Sequence, residues 1–171
     1  MITPEYCRTL ARYNAWQNYA VHAAVATLEA DELVLDRGAF FGSILGTLNH
    51  LLWADRLWMS RFDGGERPET GIRESAELTT SGVHWWTMRQ AVDARIGAWV
   101  EDLGQAPLAA DLTWFSGAAG REVTRPLALC VTHFFNHQTH HRGQVHALLT
   151  AAGARTADTD LFLMPGLDAR P

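Results

Sequence analysis

The chain has little cysteine. Cys7 and Cys130 are its only two, and no CxxC pair is present. No disulfide framework is implied, and the pair reads as reduced thiols of a cytoplasmic protein. There is no run of basic residues either. With 14 basic against 19 acidic residues the net charge is −5. Nucleic-acid binding rests on phosphate neutralisation, and an anionic membrane surface is held by clustered basic residues, so neither partner is expected. No apolar stretch approaches the roughly 18–20 residues of a membrane span. The opening Met1-Ile2-Thr3-Pro4-Glu5-Tyr6 lacks the basic and apolar regions of a signal peptide. Internal repeats, low-complexity runs and linkers are absent, and 171 residues favour one domain over residues 1–171.

A 47% hydrophobic and 19% charged composition is globular. A chain of this size buries about 70% of its unfolded surface without staples. Seven tryptophans point to an aromatic core or an aromatic-lined pocket. The most distinctive stretch runs from His133 to His146, which holds five of the eight histidines.

Four long helices are expected. Thr3-Pro4-Glu5 is a helix start, with a capping hydroxyl, Pro at the first position and an acid near the positive dipole end. The first helix runs to about Leu28, with a stripe through Tyr6, Leu10, Tyr13 (or Asn14) and Gln17. Residues 29–40 are polar and irregular, with a turn at Asp36-Arg37-Gly38. Ser43 opens a second helix, ended after Phe62 by Asp63-Gly64-Gly65. Its stripe is Ile44, Leu48, Leu51 (or Leu52), Asp55, Trp58 and Phe62. His50 lies on a neighbouring face between small residues such as Gly46 and Ala54, which admit another helix or leave room for a ligand. After a loop, a third helix spans about Val83 to Leu103. Residues 112–124 carry a hairpin signal: two short β-prone runs around a small-residue turn. The last helix starts at Arg125-Pro126 and runs to about Ala152, where Gly153 ends it. Leu161 to Pro165 in the tail covers an apolar patch. The fold class is therefore all-α, a four-helix bundle with a short β-hairpin before the last long helix.

His137 and His141 are four residues apart and fall within the apolar stripe of the last helix, so their imidazoles stack on one face. With His50 on another helix they form a three-histidine set for a divalent metal. Three neutral imidazoles leave a position for water or substrate, as catalytic sites do. Zinc and nickel both suit imidazole. A zinc protease needs Glu after the first histidine as general base; here that residue is Gln138. His133 is either a partner behind the ligands or an exposed helix residue, while His140 and His146 fall off the stripe. Asp55 either orients a ligand imidazole or pairs with Arg142 across helices. Trp16, Trp53 and Trp85 are candidates for the pocket wall.

These residues also carry a resemblance. The segments Gly46-Thr47-Leu48-Asn49-His50-Leu51-Leu52-Trp53-Ala54-Asp55-Arg56-Leu57-Trp58 and Asn136-His137-Gln138-Thr139-His140-His141-Arg142-Gly143-Gln144 resemble the two motifs of the DinB-like family of small metalloenzymes. Tyr13-Asn14-Ala15-Trp16-Gln17-Asn18 is similar to its first-helix motif. The family is unrelated to the translesion polymerase of the same name. The resemblance implies an up-down-down-up bundle, a homodimer, and divalent metal binding by His50, His137 and His141. It also implies thiol-dependent chemistry on a small-molecule substrate, as in S-transferases and a maleylpyruvate isomerase that use low-molecular-weight thiols. Two other readings stand beside it: a metal-assisted hydrolase, and a non-catalytic metal-binding protein of stress responses.

Overall fold

The computed structural model describes residues 2–117 and 119–167. Helix α1 spans Pro4–Val25, and the Thr3 hydroxyl caps it by accepting from the Tyr6 amide at 3.2 Å. It stops three residues before the expected end. The Thr27 hydroxyl bonds back to the Ala24 carbonyl at 2.7 Å, and the chain leaves in tight turns. Its buried face holds Cys7, Ala11, Asn14, Gln17 and Asn18: Asn14 and Gln17 of the expected stripe are buried, whereas Tyr6, Leu10 and Tyr13 are not. The shift of one residue has a polar cause: both asparagines are drawn into a buried ion network, and Tyr13 turns its hydroxyl to the Thr159 carbonyl at 2.6 Å.

The stretch expected to be irregular contains a short helix, α2 (Ala30–Val34), anchored by the buried Leu33. Helix α3 is Ile44–Phe62, capped by the Ser43 hydroxyl on the Gly46 amide at 3.0 Å. Gly64 takes a φ of 72° just beyond its end. A 3-10 turn at Ile72–Glu77 interrupts the next loop. Helix α4 is Gly82–Asp102, capped by Ser81. A single turn, α5 (Gln105–Leu108), precedes the hairpin. Strands β1 (Asp111–Ser116) and β2 (Arg121–Pro126) pair antiparallel, with Trp114 opposite Val123. Helix α6, Leu127–Ala151, follows directly, and Gly153 at φ 83° turns the chain out of it.

The protein is thus mostly helical with one small two-stranded sheet. Helix α1 packs on α4 and α6, and α3 packs on the same two helices. Trp85, Ile96, Phe134 and Leu149 lie in the core between them. Within Leu161 to Pro165 only Met164 is buried; Leu161, Phe162 and Leu163 stay exposed, so most of the expected apolar cover is missing. The tail is instead held by polar contacts from α1, including Arg12 to the Pro165 carbonyl and Gln17 to the Asp158 carbonyl. Among the described residues, no helix is long and apolar enough to cross a membrane.

Candidate metal centre

The contact between α3 and α6 brings His50 to His137 and His141. Ring centroids are 5.4 Å apart for His50 and His137, 4.8 Å for His50 and His141, and 4.4 Å for His137 and His141. One ring nitrogen from each residue lies within 4.8 Å of those of the other two. The helical spacing of four makes the His137–His141 half of this group; only the packing of α3 supplies the rest.

Two of the rings are fixed from behind. His141 Nδ1 donates to Gln144 Oε1 at 2.7 Å. An amide oxygen only accepts, so the proton sits on Nδ1 and Nε2 keeps its lone pair. His50 Nδ1 meets the buried Ser75 hydroxyl at 3.0 Å. Ser75 is carried by the 3-10 turn, and Asn49 clamps that turn to α3 through the Ala76 and Thr79 carbonyls at 2.9 and 2.8 Å. Phe41 stacks on His50 at 3.8 Å, with planes 17° apart. Gly46, one turn before His50, makes this possible, because a Cβ there would collide with the Phe41 carbonyl oxygen. The room left by Gly46 is therefore taken by backbone, not by a helix or a ligand.

Burial, then the neighbouring His141, lowers the pKa of His50 to about 4. Burial, then His141, His50 and His133, lowers His137 to about 3. Burial lowers His141 against the opposing pull of Gln144. All three are neutral imidazoles at pH 7, the protonation state that ligates metal. Orienting partners on Nδ1 of two rings are also what a histidine metal site uses. The donor set fits a divalent transition metal.

Behind the histidines lies a buried network that does not touch them. Gln138 donates to Asp55 Oδ2 at 3.1 Å, and Arg89 donates to the same oxygen at 2.6 Å. Arg89 also pairs with Asp93 at 2.9 Å, though out of line for a hydrogen bond. Asn18 donates to both Asp93 oxygens, and Arg142 donates to Asn14. Burial raises Asp55 to about 6 against the pull of Arg89. For Arg89 burial acts downward, but Asp93 and Asp55 together outweigh it and hold the guanidinium charged. Both sequence readings of Asp55 are corrected: it neither orients a ligand imidazole nor pairs with Arg142. Its partners are Arg89 and Gln138, because Arg89 on α4 faces it directly.

The pocket wall is also redistributed. Trp53 lies beside His50, at 6.1 Å between rings, and donates to the Thr70 carbonyl. Trp85 is buried in the core, and Trp16 lines a separate groove with Tyr19 and Arg155. His133 is exposed, yet its ring lies 5.8 Å from His137. His140 is exposed as expected, whereas His146 is bound to Thr156 at 2.9 Å. Ser75, Gln144 and Phe41 were not anticipated. Gln144 had a signal, three residues after His141 on one helix face; the other two had none.

The model of the DinB family matches residues 1–167. The chain belongs to the DinB family. Among solved structures, a DinB-like protein from Bacillus cereus is similar at a TM-score of 0.65 and 18% identity, over 85% of this chain and 90% of that one. At that identity the likeness speaks for the fold alone. No protein of the curated set matches. For a DinB-family chain, three histidines drawn from α3 and α6 are the feature to explain.

Proposed function

We propose that this DinB-family protein binds zinc or nickel through His50, His137 and His141 and performs thiol-dependent S-transferase or isomerase chemistry on a small molecule. The observation that carries the proposal is the convergence of three neutral imidazoles, two of them oriented from behind. Among the described residues no carboxylate or thiol joins the group, so a bound divalent ion would keep its full charge. Such an ion would supply Lewis acidity and would lower the pKa of a thiol bound to it, so that no protein base is required. That agrees with Gln138, which points away into the Asp55 network. The chain's own residues then hold the three nitrogens in place, and Phe41 and Trp53 shield His50 from water.

On this reading the four long helices form an up-down-down-up bundle in one domain, supported by the pairings of α1 and α3 with α4 and α6. The protein works in the cytoplasm as a homodimer. Buried, unpaired Cys7 and Cys130 agree with a reducing compartment.

The test begins with metal analysis of purified protein, then assays haloaromatic electrophiles with a panel of low-molecular-weight thiols, metal-loaded and chelated. Thiol-dependent turnover lost on chelation is expected. Ester or phosphoester hydrolysis without thiol would replace this reading with metal-bound water as nucleophile. Metal binding with a stability gain but no turnover in either panel would make the site structural.

A further inference from the structure

Arg61, on the last turn of α3, is placed unlike three of the other helix arginines. Arg8, Arg89 and Arg95 each meet a carboxylate. Among the described residues Arg61 makes no ion pair, although it is half-buried. Its guanidinium lies 4.4 Å from the Trp58 ring centre and 5.4 Å from that of Trp114. Indole faces attract the cation but take up none of its five N–H donors. The hairpin adds to the imbalance of charge. Residues opposite one another in the ladder share a face, so Arg125, opposite Leu112, shares the half-buried Leu112–Trp114–Val123 face. The hairpin's acids, Asp111 and Glu122, stand on the other face. In a chain of net charge −5, this corner is cationic and aromatic. It also adjoins the histidine site: Trp58 lies 5.2 Å from His133, and His133 lies 5.8 Å from His137.

We propose that Arg61, between Trp58 and Trp114, is an anchor for the carboxylate of an aromatic or apolar acid whose other end lies toward His137. The planar fork of the guanidinium matches a carboxylate through two parallel hydrogen bonds, and the indoles cover the apolar body. This deepens the proposed function by naming the substrate class as small carboxylic acids, and it rests on that reading only for which end of the molecule reacts.

The test is therefore a binding measurement. Benzoate and the isosteric, uncharged benzamide are titrated into the full chain, metal-free and metal-loaded, following tryptophan fluorescence and heat. Benzoate is expected to bind both forms, and benzamide about tenfold more weakly or worse. Arg61→Gln should remove that preference while leaving metal affinity, read by competition with a chromophoric chelator, unchanged. If Arg61→Gln does not fold, Arg61→Lys carries the comparison: it keeps the charge but not the fork, and benzoate should weaken several-fold. Benzoate binding only to metal-loaded protein, undiminished in the Arg61 variant, would place the carboxylate on the metal and overturn the proposal. Equal binding of benzoate and benzamide, or none, would make Arg61 a packing residue that fixes the hairpin to α3. Neither result depends on turnover, so a failure of the thiol chemistry is seen separately.

Discussion

At the scale of single residues, the site depends on groups that never touch a ligand. Ser75 and Gln144 each hold the rear nitrogen of one imidazole. Ser75→Ala leaves His50 without that partner, and metal affinity should fall about tenfold or more, measured by chelator competition. The histidines also set an acid limit on the metal-free protein. Unfolded histidine takes up a proton near pH 6.5. In the fold, His50 does so only near 4 and His137 near 3. Below about pH 6.5 the unfolded state therefore binds more protons, and stability falls as pH drops toward 4 and 3. Asp55 has the opposite sign: its pKa is raised to about 6, so its burial becomes less costly as pH falls through that value. Denaturant melts of metal-free wild type and His137→Phe at pH 7.5 and 5 separate the two. The variant should lose less stability on acidification; an equal loss would refute the assignment.

At the scale of elements, α6 has two faces with different duties. His137 and His141 face α3 as part of the candidate metal site, while Gln138 and Arg142, the very next residues, enter the polar network. Gln138→Glu should not create a hydrolytic base. The new carboxyl would sit against Asp55 in the core, destabilising the protein at pH 7 by about 1–3 kcal/mol and less in acid. Thermal melts across pH read this directly. The start of α3 has its own constraint. Gly46→Ala drives a Cβ into the Phe41 carbonyl oxygen, so the loop must move and Phe41 must leave its stack on His50. Both the melting temperature and the metal affinity should fall together.

At the scale of the whole molecule, the buried network ties all four long helices: Asn14 and Asn18 from α1, Asp55 from α3, Arg89 and Asp93 from α4, Gln138 and Arg142 from α6. Two arginines and two aspartates balance in charge. Removing one member leaves an uncompensated buried charge, so Arg89→Ala should cost about 3–5 kcal/mol in denaturant unfolding. A metal held by His50, His137 and His141 would act on the same scale, because it would link α3 to α6. At a hundredfold excess over Kd it should add about 2.7 kcal/mol of stability, and His137→Ala should abolish that increment.

The sequence by itself determined the four long helices, the hydroxyl caps at Thr3 and Ser43, the hairpin before α6, and the histidine pair on one face. Each is a local property: a cap reaches three residues, and a helix repeats every 3.6. The DinB motifs also named His50 as the third histidine. Tertiary structure decided what His50, Asp55 and Gly46 face. The phase of α1, the choice of Arg89 over Arg142 as partner of Asp55, and the arrival of Ser75 behind His50 all depend on contacts between residues at least 25 positions apart. Side-chain burial at such distances is set by how helices pack, and helical periodicity carries no information about which neighbour comes to fill a face.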